Sequence, residues 1–218
     1  MVKAILENRK SMTRRVITTL PIEPDTASIN LDGAGNWVAW APHPVTDEQS
    51  KRCYPNSAGF PCPYGKPGDT LWVKERCAIG FNDDGDLVCD YFADGKRRWF
   101  DVTPENEKYS WCYISDDKRP SIFMPRWASR LSLRITDIRA ERLQDISEAD
   151  AKAEGLTSWS NEKQPGVTHY GVAIVDEVWS TDPILVFSHL WDSINAKRGY
   201  GWDANPWVWA LSFERVTP

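Results

Sequence analysis

The chain has 218 residues and an acidic balance, with 26 Lys and Arg against 31 Asp and Glu and a formal net charge of -5. A protein that coats phosphate backbones is usually basic overall, because each added cation releases counterions. This composition excludes a long non-specific nucleic-acid surface and leaves room for a local cationic site.

The sequence also lacks the signs of a membrane or secreted protein. It has no apolar run near the roughly 18 residues that a membrane span needs, and no apolar N-terminal stretch typical of a signal peptide. The five cysteines never form a CxxC pair, so neither a disulfide scaffold nor a zinc knuckle is predicted, although His43, Cys53 and Cys62 could be drawn as metal ligands. We therefore expect a cytoplasmic protein with no membrane partner, no metal and no other cofactor.

The chain begins with a predicted amphipathic helix, because Val2, Ile5 and Leu6 follow helical spacing. Asn8 suits the left-handed position that ends such a helix, and the segment NRKSMTRR would leave it as a loop. From about residue 21 to 65 the chain is rich in Pro, Gly and polar residues. This composition favours an insertion or a long functional loop, with one candidate strand at 37–40.

The middle of the chain predicts short antiparallel strands. Pro67-Gly68 suits a type II turn, and a strand is expected from Thr70 to Glu75. Asp84-Gly85 and Asp94-Gly95 are typical hairpin turns, so a meander of strands should follow. Alternating apolar residues predict a further strand at 131–136.

The C-terminal third contains the clearest helix signals. Ser147 is a good N-cap, Asp150 lies three residues on, and Gly155 supplies a stop, which predicts a helix of about two turns. Residues 157–180 look loop-like, a second helix is expected at about 185–194, and a final strand would carry Trp207 to Phe213. Together these elements predict an α+β fold, a small and mostly antiparallel β-barrel with a few helices and large loop insertions.

Lys10 and Thr13 form a candidate catalytic pair. A threonine hydroxyl attacks a carbonyl only when a base removes its proton, and a lysine is such a base only when its ammonium is destabilised. Arg9, Arg14 and Arg15 crowd Lys10 with like charge, which would lower its pKa. The alternative is a solvated basic loop in which Thr13 acts as a cap.

Glu154 is unusual because it closes its short helix, where a carboxylate faces the negative end of the helix dipole. A cationic partner would explain an anion in that position. The alternative is that Glu154 is simply exposed, where the cost is only some tenths of a kcal/mol.

Four motifs in order resemble an ASCH domain of the PUA-like superfamily. They are NRKSMTRR near the N-terminus, PGDTLWV, ISEADAKAEG and the final NPWVWALSFERV. The chain looks most like the tryptophan-rich ASCH proteins of phages and prophages. The resemblance covers about half of a single domain spanning 1–218, with additions at about 20–60, 76–118 and 157–182.

The resemblance implies a β-barrel whose cleft is lined by the N-terminal motif. Small bacterial ASCH enzymes that hydrolyse N4-acetylcytidine carry a motif of the form G-x-K-x-x-T-x-R and a later glutamate in A-x-x-E. These positions match Lys10, Thr13, Arg15 and Glu154 here, with Asn8 where the family has glycine. The implied roles are Thr13 as nucleophile, Lys10 as general base and Glu154 as the group that holds Lys10, while Arg15, Arg9 or a backbone N–H would stabilise the oxyanion.

Aromatic and basic residues suggest how a base would bind. Trp72 is expected near the cleft, and Trp127 lies between Arg126 and Arg130 in a Pro-flanked segment suited to stacking a base while an arginine meets a phosphate. For any single tryptophan, core packing is the alternative.

The sequence therefore predicts an amidohydrolase that removes an acyl group from a base such as N4-acetylcytidine, with a nucleoside, RNA or single-stranded nucleic acid as partner. Two alternatives remain open at this point. One is a module that binds RNA or a modified base without turnover. The other is a ribonuclease in which Lys10 and Arg15 attend a phosphate.

Overall fold

The computed structural model describes residues 1–18, 28–32, 36–40, 59–107, 120–160, 166–172 and 178–216. Three helices and twelve strands occur in these ranges, together with several single-turn 3-10 helices. In chain order the elements are α1 (Val2–Leu6), β1 (Met12–Val16), β2 (Ser28–Leu31), β3 (Trp37–Trp40), β4 (Thr70–Trp72), β5 (Cys77–Phe81), β6 (Leu87–Tyr91), β7 (Arg97–Phe100), β8 (Ser132–Arg142), α2 (Glu148–Ala153), β9 (Thr157–Ser160), β10 (Thr168–Gly171), β11 (Trp179–Ser180), α3 (Pro183–Asn195) and β12 (Trp207–Val216).

A curled antiparallel sheet of four strands, in the order β1-β12-β8-β4, forms the centre of the molecule. The long strand β12 pairs with β1 on one side and with β8 on the other, and a bulge at Thr136 shifts the register between Ser212 and Phe213. The prediction of a strand-rich fold with few helices is confirmed.

Both faces of β12 are covered, so its apolar residues are consecutive rather than alternating. Trp209 and Leu211 pack in a cluster with residues of β2, β3 and β8, whereas Val208 packs on the other face against α2 and α3. Trp209 is therefore a core residue, and its ring meets Trp37 edge-on with centroids 5.1 Å apart.

The predicted end of α1 and the predicted start of α2 are both confirmed. Asn8 has φ 56°, and the Ser147 side chain accepts a hydrogen bond from the backbone N–H of Asp150. The prediction that NRKSMTRR is a loop was wrong for its second half, because Met12–Val16 is strand β1 and pairs with residues 208–212 of β12.

The remaining sheets lie within the three segments expected as additions. They are the hairpin β2-β3, the meander β5-β6-β7 and the sheet β11-β10-β9. The meander confirms the two predicted hairpins, and Gly85 and Gly95 both have positive φ. The loop predicted at 157–180 was wrong, since β9 pairs with β10 and β10 with β11.

Within the described ranges, no helix is both long enough and apolar enough to cross a membrane. Cys62, Cys77 and Cys89 are free thiols. His43 and Cys53, the other two conceivable metal ligands, lie outside the described residues, within which no group of three metal-binding side chains occurs.

Candidate functional site

Lys10 and Glu154 form a buried ion pair between the end of α2 and the start of β1. The Lys10 ammonium donates to the Glu154 carboxylate at 2.6 Å and to the Glu154 backbone carbonyl at 2.8 Å. Their side chains are only 6% and 5% exposed. The backbone holds them together as well, because Lys10 and Glu154 form an isolated antiparallel bridge.

Gly155 makes this close approach possible. Its φ is +97°, a conformation that side chains with a Cβ rarely adopt. A Cβ added at this position would lie 2.9 Å from the Cβ of Lys10 and 3.0 Å from that of Ala4. Gly155, which ends α2, therefore also leaves the space that Lys10 needs to reach Glu154.

The environment of Lys10 lowers the pKa of its ammonium below the usual value of a lysine. Burial lowers the pKa of Lys10, Glu154 opposes this shift, and the charges of Arg15 and Arg14 lower the pKa further. Glu154 accepts two of the three ammonium hydrogens, and the third is left for a group in front of the lysine. Glu154 thus orients Lys10 from behind, and burial makes the ammonium easier to deprotonate than that of an exposed lysine.

Arg14 lies on the face of β1 opposite to Thr13 and Arg15. Its role as the centre of an ion-pair network was not predicted from the sequence. Its side chain is fully buried and contacts Glu141 at 2.6 Å and Asp150 at 2.9 Å, while Nη1 lies 3.5 Å from the carboxylate of Glu154. The alternation of strand residues would have separated Arg14 from Thr13 and Arg15, had the segment been read as a strand. Arg14 was expected only as a like charge beside Lys10.

Arg139 extends this network on the surface side. It contacts Asp150 at 2.8 Å and Glu141 at 3.1 Å. Although burial raises the pKa of Asp150, hydrogen bonds from Arg139 and Arg14 hold it below its usual value. Contacts with Glu141 and Asp150 therefore fix the orientation of Arg14 behind the pair.

A cavity of about 320 Å³ lies in front of Lys10. Thr13 and Arg15 face it because they alternate with Arg14 on β1 and lie opposite Leu211 and Trp209 of β12. The cavity is lined by Met1, Ile5, Lys10, Thr13, Arg15, Tyr64, Leu71, Trp72, Val73, Lys74, Ser121, Leu133, Ile135, Leu211 and Phe213. The structure thus brings Lys10, Thr13, Arg15 and Trp72 to one cavity, with Glu154 directly behind Lys10.

Arg9 lies apart from this cavity. Its guanidinium donates to the carboxylate of Glu7 at 2.9 Å and to the carbonyl of Gly155 at 2.7 Å. Arg9 therefore braces the backbone beside Glu154 rather than facing the cavity.

Arg126, Trp127 and Arg130 also lie apart from the cavity. Arg126 is exposed, and Trp127 packs edge-on against Phe100 with centroids 4.9 Å apart. Arg130 contacts Glu75 at 2.7 Å and Asp94 at 2.8 Å, and its guanidinium lies 4.0 Å from the ring centroid of Tyr91. Trp127 and Arg130 attach the β5-β6-β7 meander to the chain that follows it.

A larger cavity of about 810 Å³ lies beside the β2-β3 hairpin. Three of its polar side chains have local partners, since Asn36 donates to Asp32 at 3.1 Å and Asp69 accepts from the backbone N–H of Lys66 at 2.9 Å. Size alone does not make a reactive site, and the smaller cavity carries the buried Lys10–Glu154 pair.

A comparison of the chain with protein-family models, with curated proteins and with solved structures finds no match in any of the three. The membership in the ASCH and PUA-like group stays a prediction from the four motifs.

Proposed function

We propose that the cavity in front of Lys10 is the active site of an amidohydrolase that removes an acyl group from an N-acylated nucleobase such as N4-acetylcytidine. The proposal includes the ASCH-type, PUA-like barrel that the motifs predict. The observation that carries it is the buried Lys10–Glu154 pair on the wall of a cavity that Thr13 also lines.

The proposed reaction begins when the hydroxyl oxygen of Thr13 attacks the acyl carbon and its proton passes to the neutral amine of Lys10. The carbon–nitrogen bond of the amide then breaks, and the departing amino group of the base takes that proton from Lys10. An acyl ester remains on Thr13. A water molecule then attacks the carbonyl carbon of this ester and gives one proton to Lys10. Lys10 passes that proton to the departing Thr13 oxygen, which restores the hydroxyl, and the acyl group leaves as its carboxylic acid.

The contacts behind Lys10 suit both halves of this cycle. Glu154 fixes the position of the nitrogen through two hydrogen bonds, so little reorganisation is needed when a proton moves. Burial and the nearby arginines limit the basicity of Lys10, which lets it return the proton to the leaving group.

The test is incubation of the purified protein with N4-acetylcytidine, with cytidine release followed by chromatography. We expect release by the wild type and a fall of about 100-fold or more in kcat/KM for Lys10→Met, which removes the base but keeps the side-chain length. Thr13→Val should abolish release while cytidine still binds. Release that survives Thr13→Val would exclude Thr13 as the nucleophile.

A binding module without turnover is the second candidate, because the exposed Arg15 and Lys74 line the same cavity. In that case the protein would bind cytidine or RNA and release no product from N4-acetylcytidine. The same incubation, combined with a binding titration, separates the two functions.

A further inference from the structure

The cavity in front of Lys10 carries a charge opposite to that of the whole chain. Arg15 and Lys74 line it in addition to Lys10, which is paired with Glu154, and none of its described lining residues is an aspartate or glutamate. The chain as a whole has a formal net charge of -5. A local cationic surface on an acidic protein attracts an anionic ligand to that place.

The charges of Arg15 and Lys74 are not neutralised by carboxylates among the described residues. Arg15 is exposed and makes no hydrogen bond or ion pair there. Lys74 is also exposed, donates to the carbonyl of Ile122 at 2.9 Å and lies 5.1 Å from the ring centroid of Trp72. By contrast, Arg14 on the neighbouring position of β1 contacts two carboxylates.

The inner part of the cavity is apolar. Leu133, Ile135, Leu211 and Phe213 are all buried and line it, and Trp72 supplies an aromatic surface. At about 320 Å³ the cavity is near the lower end of the roughly 300–1,000 Å³ typical of ligand pockets. This volume suits a base with its ribose, and the exposed Arg15 and Lys74 line the same cavity.

We infer that this site takes a nucleotide rather than a nucleoside, with the base in the apolar part and a phosphate held by Arg15 and Lys74. The inference rests on the proposed function and narrows its substrate class. A neutral nucleoside leaves both cations without an anionic partner among the described residues, whereas a phosphate offers acceptors to an arginine fork and to a lysine ammonium. The phosphate belongs either to a mononucleotide or to an RNA strand.

The test compares the binding of cytidine, cytidine 5′-monophosphate and a short single-stranded cytidylate RNA by titration calorimetry at fixed ionic strength. Any affinity tag is placed at the C-terminus, because Met1 lines the cavity. The test variant is Arg15→Gln with Lys74→Gln. The matched control is Lys197→Gln with Arg198→Gln. Both residues are exposed and lie off the cavity, and this double substitution removes two positive charges, as the test variant does.

We expect the monophosphate to bind at least about tenfold more tightly than cytidine in the wild type and in the control, a difference of about 1.4 kcal/mol. In the Arg15/Lys74 variant the two affinities should converge. Tighter binding of the RNA than of the monophosphate would identify the strand as the source of the phosphate. Equal affinity of all three ligands for the wild type, or a preference that survives in the test variant, would overturn the inference.

Turnover is measured in a separate experiment, so that a failure of the proposed amidohydrolase activity can be distinguished from a failure of the proposed phosphate site. If N4-acetylcytidine and its 5′-monophosphate are both inert while the monophosphate preference depends on Arg15 and Lys74, the amidohydrolase is wrong and the phosphate site stands. If both are hydrolysed with equal kcat/KM and both products bind equally, the amidohydrolase stands and the phosphate site is wrong.

Discussion

Glu154→Gln is the most informative single substitution, because it removes one charge from the buried pair and little else. Breaking a buried pair by removing one partner costs about 3–5 kcal/mol, and the low exposure of both side chains leaves little screening by water. The Glu154 backbone carbonyl still accepts from Lys10, so we expect a loss of stability of about 3 kcal/mol. For a chain of this size that loss lowers Tm by about 6–12 °C.

The loss should depend on pH. Burial, although opposed by Glu154, lowers the pKa of Lys10 in the folded protein below 10.5. The unfolded chain then binds more protons, so the cost of burying the ammonium is present below the folded pKa and is relieved as pH rises toward 10.5. Without Glu154 the folded pKa falls further and relief begins at lower pH. The gap in stability between wild type and variant should therefore narrow at alkaline pH.

The assay is thermal unfolding followed by circular dichroism at neutral and alkaline pH. Glu148→Gln is the matched control, because it removes the same charge from the same helix at an exposed position beside Lys152. We expect the control to leave Tm unchanged. A Glu154→Gln protein as stable as the wild type at neutral pH, or a gap that widens with pH, would refute the interpretation of Lys10 as a destabilised buried base.

Three further substitutions test the surroundings of the pair. Gly155→Ala should cost more unfolding free energy than the about 2 kcal/mol of backbone strain alone, and should lower the proposed turnover, because the added Cβ meets Lys10 and Ala4. Gly85→Ala has a similar positive φ with open space around it, so it should show only the backbone strain. Equal losses would remove the argument for a contact with Lys10. Asp150→Asn should flatten the acid limb of the stability curve, because a carboxylate with a lowered pKa contributes stability above 3.8 that is lost as pH falls; an unchanged limb in acid titration would contradict this. Arg130→Met should lower Tm and leave cytidine affinity unchanged in titration calorimetry, and a weakened affinity would return Arg130 to the binding site predicted from sequence.

Local signals explain which parts of the fold could be predicted. The Ser147 cap, the Gly155 stop and the left-handed Asn8 depend on a few adjacent residues, and the structure has all three. The sheet β11-β10-β9 was missed because its strands have only two to four residues, too few for a convincing alternation.

Long-range partners explain the rest. Arg14 contacts Glu141 and Asp150, which are 127 and 136 residues away, so no pattern near Arg14 announces them. The role of Arg130 could not be predicted for the same reason, since its partner Glu75 lies 55 residues before it. From the sequence alone, Trp127 between Arg126 and Arg130 resembled a base-binding loop, because the distant carboxylate that pairs with Arg130 could not be seen.

The pairing of β1 with β12 sets the order in which the site can be assembled. β1 forms backbone ladders with no described strand other than β12, so β1 cannot pair until β12 has been synthesised. During synthesis, Thr13 and Arg15 acquire their cavity only after residues 207–216 have left the ribosome. Closing a loop of this length is slow, and a nascent or truncated chain without β12 should be inert. Turnover of the proposed substrate would thus report that β12 has paired with β1, and a fragment ending before β12 offers a direct measurement of it.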